Sequence, residues 1–369
     1  METVPFLTAV HSQPVQLERA RTAFLGDLGA ARLRPWLPKE TIAIVAMGAS
    51  HNAGHALVAV LAAIGIRAVN LTASDVLNGA PGFQPADHYL IVSESGRSPE
   101  PLEAARRLAP AERIGITNVR GSQLSETVDT ILTLGGVPDS AVYTVGYTAT
   151  LLSFALLLDH LGLTSTPDAM ARVPATVAGA LQSLTPSANA IAEVIAGAGS
   201  VDVIGQGASY ASAAEFALMC REGIHLPATA YNTLDYLHGP IEAASPACAV
   251  VAFGAGRERT IPESIPGALL EAGVPVILVT SGAAGSGAER SGSVSSGAVS
   301  SGAGSAVAGH GHPLLTVVDL PEESDAFVRT IVETVLCQLV LARAAELRSQ
   351  TIGDFSFKGL GTKLPPADA

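Results

Sequence analysis

Hydrophobic runs and amphipathic stretches alternate along most of the chain, after a helical segment at the N-terminus. Residues 1–40 carry Leu17, Ala20, Phe24 and Leu28 at helical spacing, which predicts a helical lead-in. Further on, continuous apolar runs such as "HYLIVSES" are separated by amphipathic runs such as "LEAARRLAP". Continuous apolar strands separated by helices are typical of a parallel sheet covered on both faces. The pattern therefore predicts an α/β fold.

The same pattern occurs twice. The strand and helix "TIAIVAMGASHNAGHALVAVLAAIG" are echoed by "SVDVIGQGASYASAAEFALMCREG", and both strands end in Gly-Ala-Ser. We therefore predict two copies of one α/β unit, over residues 41–165 and 166–350. Residues 281–312 are rich in Gly, Ser and Ala, which predicts a flexible insert in the second copy. Residues 351–369 form a C-terminal tail.

Hydroxyl side chains cluster where one apolar strand of the first copy ends, in "VSESGRSPE". Ser98 precedes Pro99, so helix capping is one interpretation of this serine. A helix start also presents free N–H groups and a positive dipole end, and with Ser93 and Ser95 these groups suit a bound phosphate. The second copy has "FGAGRER" at the corresponding place, so the fold itself does not require the serines. The cluster therefore predicts a phosphate site.

Ser50 follows Gly48 at the end of another strand of the first copy. Ligands of an open parallel sheet bind outside the carboxyl ends of its strands, so we expect Ser50 to face the same crevice. The dinucleotide pattern G-x-G-x-x-G follows neither copy's first strand, and we predict no cofactor. His310 and His312 lie on the Gly-rich insert and are too few for a metal site, so we predict no metal.

Composition narrows the partners and the compartment. The formal net charge is -12, which disfavours nucleic acid and anionic membranes as partners. Cys220, Cys248 and Cys337 are far apart, without zinc or disulfide spacing, which favours a reducing cytoplasm. The apolar run over residues 141–158 is interpreted as a buried helix rather than a membrane span. The N-terminus lacks a basic region, so we expect no signal peptide.

The segments "VSESGRSPE", "ITNVRGSQL" and "LHGP", with the repeated strand-Gly-Ala-Ser-helix, resemble the sugar isomerase (SIS) domain family. Two such units in tandem are similar to the isomerase half of glucosamine-6-phosphate synthase, and to the aminosugar-phosphate deaminases and deglycases. The resemblance implies two five-stranded parallel sheets flanked by helices, in a flavodoxin-like three-layer arrangement. It also implies a homodimer and a phosphorylated sugar as substrate.

The resemblance implies that four serines of the first copy bind the substrate's phosphate: Ser50, Ser93, Ser95 and Ser98. Gly48, Glu94 and Gly96 are expected to contact the substrate beside them. The synthase has Gln at the position of Glu94. A carboxylate beside a phosphate is unfavourable, so we expect the Glu94 side chain to turn away from the phosphate or to contact sugar hydroxyls.

The resemblance assigns the reaction chemistry to the second copy and the tail. Glu222 corresponds to the family's proton-transfer glutamate, and His238 to the histidine that opens the sugar ring and often reaches the neighbouring subunit. Without the resemblance, they are an exposed helix-end carboxylate and a loop histidine. Of the tail lysines, we favour Lys363 over Lys358 as the one that closes the site; a solvated lysine is the alternative. Met219 stands where the synthase has a lysine, which argues against the standard synthase reaction.

We therefore expect an aldose–ketose isomerase or aminosugar-phosphate deaminase that acts on a hexosamine 6-phosphate-like substrate. The chain begins almost at its lead-in helix, so we expect no glutaminase segment in it. One alternative is a synthase half that borrows its glutaminase from a partner. Another is a phosphosugar-binding sensor without catalysis, which Met219 and the irregular tail would suit.

Overall fold

Two five-stranded parallel sheets organise the chain, as the apolar pattern predicts. The computed structural model describes residues 3–109, 113–254, 264–281, 311–357, 360 and 362–365. Lys358, His310 and most of the predicted insert lie outside the described residues. The flavodoxin-like, three-layer description stays a prediction.

The first copy follows a long helix, α1 (Phe6–Ala30), and occupies the stretch that ends with α5. Its elements in chain order are β1 (Thr41–Ala46), α2 (Gly48–Ala63), β2 (Arg67–Thr72), α3 (Ala73–Leu77), β3 (His88–Val92), α4 (Pro99–Arg107), β4 (Arg113–Thr117), a 3₁₀ turn (Gln123–Glu126), β5 (Thr130–Thr133) and α5 (Val145–His160).

The second copy repeats this order after two additional helices. Its elements are α6 (Pro167–Ser183), α7 (Thr185–Gly197), β6 (Ser200–Gly205), α8 (Ser209–Ile224), β7 (Ala228–Asn232), α9 (Thr233–Tyr236), a 3₁₀ turn (Pro240–Ala243), β8 (Cys248–Phe253), α10 (Ser264–Glu271), β9 (Val276–Ser281), β10 (Leu315–Leu320) and α11 (Ala326–Leu347).

The two sheets have the same topology. The strand order is β2-β1-β3-β4-β5 in the first sheet and β7-β6-β8-β9-β10 in the second, with every pair parallel. In both sheets the order reverses beside the first strand of the copy, which is where open parallel sheets bind ligands. The topology therefore places the ends of β1 and β3 at one crevice and those of β6 and β8 at another.

Buried helices join the two copies. α5 is apolar on all sides and packs against α1, α2 and α11, as expected of a core helix. No helix among the described residues is long and apolar enough to span a membrane. Two buried polar contacts also cross between helices: Gln13 Nε2 on α1 donates to Gln338 Oε1 on α11 at 2.8 Å, and Asn52 Nδ2 on α2 donates to Glu215 Oε2 on α8 at 2.9 Å.

Candidate active site

The serine cluster lies in the loop between β3 and α4. Ser93 and Ser95 are 3% and 4% exposed, and Ser93 Oγ donates to Ser98 Oγ at 3.4 Å. Ser98 occupies the N-cap position of α4, yet within the described part of the chain its hydroxyl makes no capping hydrogen bond. Capping therefore does not account for Ser98. Its hydroxyl, the Ser93 hydroxyl and the Glu100 N–H are the donors at the start of α4, where Pro99 and Pro101 carry no N–H.

Gly96 holds this loop against the neighbouring one after β4. Its φ is +61°, in the left-handed region, and a Cβ added there would lie 2.1 Å from Ser122 Oγ and 2.9 Å from Thr117 Oγ1. Its carbonyl oxygen accepts a hydrogen bond from Leu124 N at 3.1 Å. Only glycine fits this position, so the placement of the serines depends on it.

The Glu94 side chain turns away from the serine pair and is buried, with an exposure of 4%. Asn118 Nδ2 donates to Glu94 Oε1 at 2.8 Å, whereas Glu94 Oε2 has no hydrogen-bond partner among the described residues. Burial and the nearby Asp139 charge raise the pKa of Glu94 to about 7, while Asn118, Lys363 and Tyr143 act in the opposite direction. Glu94 is therefore a carboxyl group that titrates near neutrality.

Asp139 and Tyr143, which sequence reasoning missed, complete the surroundings of Glu94. Asp139 accepts hydrogen bonds at the start of α5, including one from Gly146 N at 2.7 Å; burial nevertheless raises its pKa. A Cβ added to Gly146 would lie 2.9 Å from Asp139 Oδ2 and 3.0 Å from Glu94 Cγ, so this glycine lets both carboxyls approach α5. The sequence offered only one signal for Asp139: an aspartate shortly before a predicted helix can accept hydrogen bonds from the first N–H groups of that helix.

Ser50 lies with Glu94 rather than with the other serines. It is half-buried in the first turn of α2, and with Glu94, Tyr143 and Tyr147 it lines a narrow gap that has no room for a water molecule. Gly48 begins this turn with a φ of +54°. Ser50 and Glu94 thus line the same gap between the start of α2, the loop after β3 and α5.

Glu222 is mostly buried, near the C-terminal end of α8. Burial raises its pKa, whereas the charges of Arg221 and Lys363 lower it. A cleft of about 520 Å³ adjoins it. The cleft is lined by Leu218, Arg221, Glu222, His225, Leu226, Pro227, Phe355, Ser356 and Phe357. Glu222 therefore lies at the edge of a space large enough for a small molecule.

The C-terminal tail connects the two copies. Lys363 Nζ lies 5.3 Å from the centre of the Tyr143 ring, and its charge lowers the pKa of both Glu94 and Glu222. The next residue is anchored to the serine loop, because Leu364 N donates to Arg97 O at 2.9 Å. The Lys363 charge thus acts on a carboxyl group of the first copy, Glu94, and on one of the second copy, Glu222.

His238 lies elsewhere. It follows α9 and is exposed, and among the described residues no hydrogen bond or ion pair joins its side chain to Glu222 or Lys363. Its place at a neighbouring subunit's site stays a prediction. Met219 is 1% exposed and packs in the main hydrophobic cluster, so it fills the core at the position where the synthase has lysine.

The chain is similar to known proteins of the SIS domain family. Residues 194–294 match the SIS domain family. Glutamine–fructose-6-phosphate aminotransferase (isomerizing) from Aeropyrum pernix is 31% identical over 222 residues, which cover 55% of this chain and 35% of that protein. The same enzyme from Pseudomonas putida is 28% identical over 257 residues, 64% of this chain and 42% of that protein. The chain thus spans less than half the length of these relatives.

Two solved structures share the fold over nearly their full length. The C-terminal domain of glucosamine-fructose-6-phosphate aminotransferase from Francisella tularensis has a TM-score of 0.75 at 21% identity, covering 94% of this chain and 97% of that chain. Glucosamine-6-phosphate deaminase from Thermotoga maritima has a TM-score of 0.70 at 17% identity, covering 95% and 97%.

With its two five-stranded parallel sheets and the SIS match over residues 194–294, the chain resembles the SIS sugar isomerase family. Within that family it resembles the isomerase half of glutamine–fructose-6-phosphate aminotransferase.

Proposed function

We propose that this protein acts on a hexosamine 6-phosphate-like substrate, as an aldose–ketose isomerase or as an aminosugar-phosphate deaminase. Its family and its relatives support the general class of sugar-phosphate isomerase. One observation carries the proposal. The Lys363 charge acts on both Glu94, beside the hydroxyl cluster, and Glu222, beside the large cleft.

The first copy binds the phosphate in this proposal. The hydroxyls of Ser93, Ser95 and Ser98 and the N–H of Glu100 donate to the phosphate oxygens, which the positive end of the helix dipole also attracts. Ser50 extends this wall toward the sugar. Gly48 and Gly96 let the backbone approach the ligand closely, since neither carries a side chain.

The second copy moves the proton. Glu222 takes the proton from C2 of the open-chain aminosugar and returns it to C1, which converts the aldose amine into a ketose imine. Water then adds to C2 and ammonia leaves, so that the aminosugar phosphate and water give the ketose phosphate and ammonia. The raised pKa of Glu222 suits this role, because proton transfer is most efficient when the pKa lies near the working pH.

Two further groups assist. Lys363 covers the site and stabilises negative charge on the substrate oxygen during proton transfer. His238 opens the sugar ring, and its exposed position fits a contribution across a homodimer interface to the neighbouring subunit's site. Each role is part of the proposal and is tested by substitution.

The experiment is an assay of the purified protein with glucosamine 6-phosphate, in which fructose 6-phosphate and ammonia are measured. Glu222→Gln is expected to lower turnover by about 10²- to 10⁴-fold, because a positioned general base contributes about that much. Glu193→Gln, an exposed glutamate of α7, is the matched control and should keep full activity. Absence of turnover with any hexose phosphate, or full activity of Glu222→Gln, would contradict the proposal.

A second candidate, favoured by the names of the relatives, is the synthesis of glucosamine 6-phosphate with ammonia from a glutaminase partner. Incubation with fructose 6-phosphate and ammonia tests the reverse direction, and co-purification with a glutaminase chain tests the partner. Tight phosphosugar binding without turnover in either direction would favour a sensor instead.

A further inference from the structure

Glu94 combines burial with an unused hydrogen-bond acceptor. One oxygen accepts from Asn118, and the other has no partner within hydrogen-bond geometry in the described part of the chain, although the nearby Tyr143 hydroxyl lowers the pKa of the carboxyl. Glu94 borders a gap with Ser50 and Tyr143, and Lys363 Nζ lies over the Tyr143 ring; the gap has no room for a water molecule, so a ligand reaches Glu94 only when this wall opens. An unpartnered carboxylate oxygen in a buried wall is costly unless a ligand supplies a donor.

The charge around Glu94 is unbalanced. Asp139 lies beside it, and the Asp139 oxygens are already occupied by donors such as Thr144 N and Gly146 N. Among the residues that the structure describes, no lysine or arginine forms an ion pair with Glu94. Lys363 faces it from the tail and Tyr143 from the segment before α5, and Lys363 is shared with Glu222. Carboxyl groups therefore outnumber cations here.

We propose that Glu94 is a specificity-determining residue that recognises the ammonium group of an aminosugar phosphate in preference to a hydroxyl. The proposal rests on the proposed function, since it assumes a phosphosugar in this crevice. An ammonium group gives Glu94 Oε2 a charge-assisted hydrogen bond and offsets the excess of carboxyls. A hydroxyl offers a weaker bond and no charge. The family's amide at this position lacks the charge that makes the distinction.

Proton release accompanies this recognition. The unliganded Glu94 carboxyl is partly protonated at neutral pH, because its pKa is about 7. Binding of an ammonium group stabilises the carboxylate, so Glu94 releases its proton to solvent while the substrate nitrogen keeps its charge. A hydroxyl compound bound at the same place releases no proton from Glu94.

The test uses two open-chain probes that lack a carbonyl and are not turned over: 2-amino-2-deoxyglucitol 6-phosphate and glucitol 6-phosphate. They share the phosphate and differ at C2. By isothermal calorimetry, the wild-type protein is expected to bind the amino compound about ten-fold more tightly or better, as one charge-assisted bond allows. Calorimetry below neutral pH in buffers of different ionisation enthalpy should show more proton release with the amino compound than with glucitol 6-phosphate, because the phosphates of the two probes contribute alike and Glu94 adds its proton only for the ammonium group.

Glu94→Gln should lose both the preference and the additional proton release while it keeps its affinity for glucitol 6-phosphate. Glu193→Gln serves as the control. The wild-type measurements decide the matter even if Glu94→Gln does not fold. Equal affinities for the two probes, or a preference without additional proton release, overturn the inference and leave the proposed function intact. A preference that survives in Glu94→Gln also overturns it. Failure of both probes to bind overturns the proposed function itself.

Discussion

The turns after the first strand of each copy share a backbone but use their side chains differently. Gly48 and Gly207 have φ values of +54° and +59°, and a serine follows two positions later in both copies. Ser209 is 1% exposed, and its hydroxyl donates to Glu333 Oε1 at 2.8 Å. Ser50 instead lies half-buried on the wall that carries Glu94. The equivalent serine thus bonds to a buried carboxyl in the second copy and borders the gap beside Glu94 in the first.

The difference extends to the rest of each copy. Ser212, like Ser209, donates to Glu333, at 2.6 Å, so the second copy commits two hydroxyls to a buried carboxyl. The first copy keeps its hydroxyls around the start of α4. Glu222 comes from the second copy. The two copies therefore share the sheet topology, and the proposed function divides phosphate binding and proton transfer between them.

The largest effect should come from removing hydroxyls of the first copy. Ser95→Ala combined with Ser98→Ala is expected to weaken glucitol 6-phosphate binding at least about 100-fold, because each hydrogen bond to a charged group contributes about 1.5–3 kcal/mol. Calorimetry measures the change. Unchanged affinity would show that the phosphate lies elsewhere and that the contrast between the copies concerns packing alone.

A smaller loss is expected at Gly96. Alanine there meets Ser122 Oγ and must also adopt a positive φ, so the loop shifts and probe affinity should fall about ten-fold. Gly65→Ala is the control, since Gly65 has a φ of +81° with open space around it and suffers backbone strain alone. If both variants bind the probe as the wild type does, the serine loop does not depend on Gly96.

The two equivalent serines should respond in opposite ways. Ser209→Ala is expected to lower the free energy of unfolding by about 1–2 kcal/mol, because the buried Glu333 loses one donor, and to leave probe affinity unchanged. Ser50→Ala should weaken probe binding with little effect on stability. Urea denaturation and calorimetry on both proteins measure the two quantities. If both variants lost the same quantity, either stability or probe affinity, the two serines would not have different roles in the two copies.

A further effect concerns the dependence of stability on pH. Burial raises the pKa of Glu215, at the interface between the copies, to about 8. The folded state therefore holds this proton more tightly than the unfolded state, so Glu215 stabilises the fold most at low pH. Its contribution declines as pH rises from about 4 to about 8. Glu215→Gln retains an acceptor for Asn52 and should lose less stability across this range. Denaturation at about pH 5 and about pH 8.5 measures the free energy of unfolding of the wild type and of Glu215→Gln. If that free energy changes with pH equally in both proteins, Glu215 does not have a raised pKa.

Short-range patterns predicted the fold and the serine cluster. Apolar runs of strand length, the repeated Gly-Ala-Ser and the Ser-Pro helix start are local features, and the structure confirms the two parallel sheets. The surroundings of Glu94 were beyond such reasoning, because Asn118, Asp139 and Tyr143 approach it only once β4 and α5 are in place. The position of Lys363 likewise depends on how the tail packs on the serine loop, which periodicity does not encode.

The central claim is that the first copy binds the phosphate and the second supplies the base. Its most direct test measures glucitol 6-phosphate affinity and glucosamine 6-phosphate turnover for Glu222→Gln beside the variant that carries both Ser95→Ala and Ser98→Ala. The account predicts that Glu222→Gln loses turnover at nearly wild-type affinity, while the serine variant loses affinity. Equal losses of affinity in both proteins, or wild-type turnover in Glu222→Gln, would contradict it.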